Sequence, residues 1–337
     1  MSSNLVLTPG GYKSADLVHH AEAGTVIDGS GGRLRQLSRS GEVLADHGPL
    51  VVRAAGRPLQ PLNVHVPQDK VVPAFGSGWI TYASWSNNTG TPVSKMTTQW
   101  TVPPEPATQN SQTIFLFPGI QNSTMIYQPV LQWGPSAAGG GSYWAVASWY
   151  ADGQGGHSFY SSLERVNAGD VITGEMTLTG TSGAQHSYSC DFAGIANTTL
   201  PVTNVEELTW CIETLEVYGI TAATDYPNTF DTAMTHIDLE TGSTHPAITW
   251  TVSNAVTDTG QHTVVVSNDT TSGEVDLCYK ANPLTASPVV PAHAEVSVVS
   301  RSADHLDVFV VGTDSRVYTA AWEPDFADGW HGWWRLG

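Results

Sequence analysis

The chain is poor in charge. Only 13% of its 337 residues are Asp, Glu, Lys or Arg, and these are unbalanced, 31 acids against 13 bases, for a formal net charge of −18. A surface of that sign repels nucleic-acid phosphates and anionic lipid headgroups, so neither nucleic acid nor a membrane is an expected partner. Cysteine is scarce. Cys190, Cys211 and Cys278 can form at most one disulfide, and no Cys or Cys/His spacing has the character of a metal site. No metal and no cofactor is therefore expected. No apolar run approaches the ~20 residues that cross a bilayer. The start, MSSNLVLTPGGYKSADLVHHAE, lacks the basic segment and apolar core of a secretory leader. The zinc-protease, phosphate-loop, dinucleotide and serine-hydrolase signatures are absent. The scattered histidines have no triad spacing and read as surface or loop residues.

A helical period of useful length is missing too. What the chain does have is glycine (33), tryptophan (12) and tyrosine (11), with short apolar runs separated by Gly, Pro, Asn and Asp. Runs at 79–85, 95–102, 113–117, 158–166, 171–179, 186–192, 207–218, 247–253, 261–267 and 274–279 predict strands. Many short strands at such spacing predict an all-β, two-sheet antiparallel sandwich. The segment 220–240 is the least regular and is expected to be a long loop with a short helical turn.

The stretch 128–153, QPVLQWGPSAAGGGSYWAVASWYADG, is the most informative. Two apolar runs flank Pro135–Ser142 with its three consecutive glycines, which predicts a β-hairpin. Strand side chains alternate. Val130 and Gln132 therefore share one face, and Leu131 and Trp133 the other. On the second strand Trp144, Val146, Ser148 and Tyr150 share a face, as do Tyr143, Ala145, Ala147 and Trp149. A lone Gln among so many aromatics is either satisfied structurally or aimed at something.

Four regions are expected. Residues 1–73 form an N-terminal extension, either a packing arm or a pro-segment over a cleft; Arg33, Arg35, Arg39 and Arg53 would dock it on an acidic remainder. Residues 74–283 are the sandwich, 284–293 a Ser/Pro linker, and 294–337 a separate unit. That last unit resembles one repeat of the fucose-binding and tectonin-type propeller lectins, on Asp307, Phe309, Val311, Gly312, Thr313, Asp314, Tyr318, Trp322, Trp330, Trp334, Leu336 and Gly337. The resemblance implies glycan contact through Trp322, Trp330 and Trp334. One blade cannot close a propeller, so it also implies assembly with further blades, in an oligomer or in a longer chain.

In EELTWCIETLEVY (206–218), Trp210 and Ile212 are expected to face the core, leaving Thr209, Cys211 and Glu213 on the other face. Glu213 has apolar neighbours and no nearby base, so partial burial would raise its pKa, as suits a general acid/base; Glu206, Glu207 and Glu216 are expected to face solvent.

The central region also resembles the eqolisin family of glutamic peptidases, in collinear motifs over about 79–265. These are Trp100-Thr-Val-Pro103, Gly119-Ile120, Leu131-Gln132-Trp133-Gly134, Tyr143-Trp-Ala-Val-Ala-Ser-Trp149-Tyr150, Gly169-Asp170-Val171-Ile172 and Trp210-Cys-Ile-Glu213. The resemblance implies a sandwich like that of concanavalin A and the legume lectins, with Gln132 and Glu213 as a catalytic pair on its concave face. Glu213 would activate water and Gln132 would orient it and hold the oxyanion. Trp144, Trp149, Tyr150, Thr209 and Cys211 would line the cleft. A polypeptide substrate, an acid optimum and an extracellular setting go with that reading. Thr209 stands where the family often has a second Glu, and Trp133 where it usually has a small residue. The alternatives are a carbohydrate-binding sandwich without catalysis, or a glycoside hydrolase pairing Glu213 with Asp152 or Asp191.

Overall fold

Alternation and turn chemistry lead to strands throughout. The computed structural model describes residues 4–50, 78–152, 156–256, 259–280, 290–303, 305–313, 315–322 and 330–336. Among these no helix exceeds a single 3-10 turn of three residues, and none is long and apolar enough to cross a membrane. The chain divides into two compact units, 1–279 and 280–337.

The first unit is a sandwich of two large sheets. One has the order Thr251–Asn254, Gly78–Ser86, Trp210–Tyr218, Thr113–Gln121, Met125–Ser136, Gly139–Asp152, Ser158–Tyr160, Val18–His20, with Glu164–Arg165 also paired to Gly139–Asp152. The other runs His262–Ser267, Gly273–Cys278, Asp231–Thr241, Val93–Thr101, Val171–Ser182, Gln185–Phe192, Leu200–Val205, Val26–Asp28, Arg33–Leu37, Val43–Pro49. Among the described strands, pairing is antiparallel except where the N-terminal extension joins each sheet: Val18–His20 lies parallel to Ser158–Tyr160, and Val26–Asp28 parallel to Leu200–Val205. The first 50 residues are thus built into both sheets. The expected extended stretch 59–73 and residues 284–289 of the linker lie outside the described residues.

The main core fills the space between the sheets. The first sheet contributes Leu131, Trp133, Trp144, Val146, Tyr150, Leu215 and Val217, and the second Met96, Trp100, Met176, Tyr188 and Leu239. A second cluster covers the opposite face of the first sheet: Phe115, Phe117, Val130, Trp149, Ile212 and Tyr218, joined by Leu7 of the extension. Each such side chain contributes roughly 1.5–3 kcal/mol on burial. The first sheet is therefore buried on both faces, and its strands read as nearly continuous apolar runs.

The central hairpin forms with the expected faces. Its strands extend further than the glycine run suggests, to Ser136 and from Gly139, leaving Ala137 and Ala138 at the tip. Gly134 has φ 87°, and a Cβ there would collide with the Gln112 carbonyl. Within 220–240 the expected helical turn is Ala223–Asp225, but Asp231–Thr241 is a strand lying between Gly273–Cys278 and Val93–Thr101. Leu200–Val205 is a further strand the sequence pattern did not single out. The expected strand 158–166 is broken into Ser158–Tyr160 and Glu164–Arg165. All three cysteines are buried free thiols.

The second unit is a four-stranded antiparallel meander, Val296–Ser302, His305–Val311, Val317–Trp322 and Trp330–Leu336. Trp322 is opposite Trp330, and Thr319 opposite Trp334. Val296, Val298 and Val299 on its first strand are exposed.

Candidate active site beneath the N-terminal hairpin

Register decides which side chains meet. Trp210–Tyr218 lies between Gly78–Ser86 and Thr113–Gln121, with Glu213 opposite Pro118 and Glu216 opposite Phe115. Phe115 is in turn opposite Gln132. Directly opposed residues share a face, so Glu216, Phe115 and Gln132 form one row. Glu213 is three positions from Glu216 and points the other way. Thr98, from the second sheet, donates its hydroxyl to Glu213 Oε1 at 2.7 Å, which fixes that carboxyl between the sheets.

The expected pairing of Gln132 with Glu213 is therefore not met, because the two occupy opposite faces. Cys211 goes with Glu213 into the inter-sheet core, and Ile212 lies in the outer cluster. Trp144 and Tyr150, expected as cleft walls, are also packed between the sheets; the Tyr150 hydroxyl donates to Asp152 Oδ1 at 2.6 Å. Thr209 precedes its strand and donates its N–H to the Gln121 carbonyl at 2.9 Å. Of the five expected cleft residues, Trp149 alone is in the cluster on Gln132's face, and it is fully buried against Tyr160 at 5.0 Å.

Glu216, expected at solvent, is instead fully buried, because the N-terminal hairpin lies over the outer face of its strand. Its Oε1 accepts from the Tyr218 hydroxyl at 2.5 Å and from the Gly10 N–H at 2.8 Å. Its Oε2 has no partner. Burial pushes its pKa up to about 7, opposed by the hydrogen bonds from Tyr218 and Gly10 and by the nearby Trp79 indole, which favours the charged form but lies outside hydrogen-bond geometry. Glu213 is raised further, to about 8, by burial with only the Thr98 bond opposing.

Gln132 is held by its own hairpin. Its Nε2 donates to the carbonyls of Gly134 and Gly139 at 2.7 and 2.9 Å, and its Oε1 accepts from Ser136 Oγ at 2.8 Å. Gly140, at φ 103°, makes room for it, since a Cβ there would collide with Gln132 Nε2. Two other glutamines lie on the same face with no such support. Gln128 is opposite Trp149 and Gln121 opposite Ile126. Both are fully buried, and neither amide has a partner at either atom; the Thr214 hydroxyl is likewise alone. An unpaired buried polar group costs about 1–3 kcal/mol, so these positions need a reason. Gln128 heads the 128–153 stretch, four residues before Gln132. It has the parity of Val130 and Gln132, which is the signal by which it could have been found.

The N-terminal hairpin, Leu5–Thr8 with Gly11–Ser14, covers this row. Besides the Gly10 bond to Glu216, Leu7 packs into the outer cluster and its carbonyl accepts from Ala137 N–H at 2.7 Å. Tyr12 sits edge-on to Tyr218 at 5.7 Å. Lys13 Nζ donates to the Asp152 and Gly156 carbonyls at 2.6 and 3.2 Å, and burial lowers its pKa to about 8. A cavity of about 600 Å³ lined by Trp100, Val102, Gly169, Asp231 and Thr235 holds no member of the row.

No family model matches the sequence, and no curated protein matches it. Solved structures similar to the chain include two peptidases. One is scytalido-glutamic peptidase with a peptide-based transition-state analogue, at TM-score 0.39 and 13% identity, covering 60% of this chain and 98% of that one. The other is SCP-B, a member of the Eqolisin family of peptidases, in complex with the tripeptide Ala-Ile-His, at TM-score 0.34 and 12% identity, again covering 60% and 98%. Likeness at this level fixes neither the reaction nor the residues that carry it.

Proposed function

We propose that the sandwich is an acid-acting endopeptidase whose catalytic pair is Gln132 and Glu216, and that the N-terminal extension is its cover. The observation that carries this reading is the row Glu216–Phe115–Gln132, with one carboxylate oxygen unpartnered and the other capped by Gly10. Two strand spacings separate the pair, about 10 Å between Cα atoms. In this reading the scissile peptide and a water lie over Phe115 once the extension has left. Ionised Glu216 takes a proton from the water as its oxygen bonds to the carbonyl carbon. Both Nε2 hydrogens of Gln132 are taken up by the Gly134 and Gly139 carbonyls in the covered state; with the turn freed from Leu7, the one released from Gly139 donates to the oxyanion that forms. Glu216 then gives its proton to the leaving nitrogen as the C–N bond breaks. Gln121 and Gln128 supply unpartnered amides for the backbone of an extended substrate.

The covered state is idle for three physical reasons. The hairpin lies over the row, where a substrate would bind. Burial keeps Glu216 protonated well above the ordinary carboxylate range. The turn that holds Gln132 is itself tied to Leu7 through Ala137. Removing the extension rehydrates Glu216, returns its pKa toward ~4.3 and makes it a base at mildly acid pH. The experiment is digestion of an oligopeptide mixture across pH 2–7, before and after the extension is released. Activity is expected only after release, with an acid optimum, and Gln132→Ala is expected to lower kcat by ~10²-fold or more. Equal activity with the cover in place, or a neutral optimum, contradicts the proposal.

A further inference from the structure

Three histidines remote in sequence meet at one point. His19 is the middle residue of Val18–His20, His47 lies in Val43–Pro49, and His157 immediately precedes Ser158–Tyr160. One ring nitrogen from each lies within 4.8 Å of the other two. His19 Nε2 and His157 Nδ1 are 2.9 Å apart. The rings of His47 and His157 are 4.1 and 5.1 Å from that of His19. Phe159 packs on His47 and His19 at 4.9 and 5.2 Å and forms an apolar wall behind them.

Packing alone leaves this arrangement unexplained. His47 Nε2 is buried with no hydrogen-bond partner. A ring nitrogen deprived of both water and a protein partner is costly, and here it lies beside two other imidazoles. The His47 backbone lies near the His157 ring and favours its charged form. Asp16 lies close enough to His19 and His157 to interact with both.

We propose that His19, His47 and His157 bind a divalent transition-metal ion, with zinc as the reference ion. Three neutral imidazoles suit zinc, copper or nickel rather than magnesium or calcium. Zinc–nitrogen bonds of about 2.0–2.1 Å place tetrahedral ligand atoms roughly 3.4 Å apart, so small ring rotations close the site. Water takes the fourth position. His19 and His47 belong to the extension, whereas His157 follows the Gly139–Asp152 strand of the sandwich. A bound ion therefore ties the extension to the sandwich and stabilises the covered state. That consequence rests on the proposed role of the cover; the metal site does not. The other cluster of this kind among the described residues, Asp238, Glu240 and His245, is weaker, because Lys95 already pairs with Asp238 at 2.6 Å and with Glu240 at 3.9 Å.

The test is titration of the full chain with Zn²⁺, followed by calorimetry and thermal melting, with Co²⁺ in parallel. One equivalent is expected to bind. At a hundredfold excess over Kd the melting temperature is expected to rise by roughly 5 °C or more, and Co²⁺ is expected to give the visible absorption of a four-coordinate site. His47→Ala and His157→Ala are expected to weaken binding at least tenfold, whereas His245→Ala leaves it unchanged. Should a histidine variant not fold, the electron paramagnetic resonance spectrum of Cu²⁺ on the native chain counts the coupled imidazole nitrogens, and three are expected. Absence of stoichiometric binding, fewer than three nitrogens, or loss of binding in His245→Ala instead overturns the site. Metal binding together with peptide hydrolysis that is indifferent to extension release would retain the site and remove the cover.

Discussion

Two buried carboxyls, three positions apart on one strand, have different consequences. Glu213 and Glu216 both have folded-state pKa values raised by burial, to about 8 and about 7. A raised carboxyl pKa contributes stability that is complete below the unfolded value near 4.5 and is lost as pH rises through the folded value. For Glu216 alone the loss is on the order of 3 kcal/mol. Urea unfolding is therefore expected to give a higher midpoint at pH 4.5 than at pH 8.5, and Glu213→Gln is expected to recover much of the difference at the upper pH. A midpoint that rises with pH would contradict the burial of these groups. The unpartnered amides make a second residue-scale prediction. Gln128→Leu keeps volume and removes an unsatisfied group, so stability is expected to rise by about 1 kcal/mol or more, while KM for peptides increases. A stability loss instead would mean the amide is already satisfied.

At the scale of elements, the central hairpin was legible because its alternation is strict and its glycines sit where only glycine fits. Gly140→Ala puts a methyl group against Gln132 Nε2 at φ 103°. It is expected to cost about 1–3 kcal/mol and to move the amide, seen as a lowered melting temperature. Which glutamate shares Gln132's face was not legible. Trp210–Tyr218 is buried on both sides, by the second sheet and by the extension, so Thr214 and Glu216 are as buried as Cys211 and Glu213. With both faces covered, polarity carries no parity, and a Trp-x-x-Glu match selects the glutamate that faces the inter-sheet core. Asp231–Thr241 was lost for another reason. His236 has φ 49°, the pairing register slips around it, and the alternation changes phase in mid-strand. The histidine cluster joins positions 19, 47 and 157, a spacing that no local pattern reports.

Across the whole molecule, the extension is neither a loose tail nor an independent domain. It contributes strands to both sheets and sets its hairpin on Glu216. Acid alone is not expected to expel it, since Glu216 is protonated in the covered state and the Gly10 contact persists. Release is expected to require cleavage of the chain, so the onset of activity at pH 3–5 should show a lag that shortens with enzyme concentration if processing is intermolecular. The N-terminal sequence of the active species locates the cut.

The central claim is that Glu216, not Glu213, is the acid/base. The direct measurement is peptide hydrolysis at the acid optimum by released Glu216→Gln and Glu213→Gln, each first checked for the native fold by circular dichroism. The account predicts loss of turnover in Glu216→Gln and turnover within a few-fold of native in Glu213→Gln. Turnover retained in Glu216→Gln, or abolished in a folded Glu213→Gln, would contradict it.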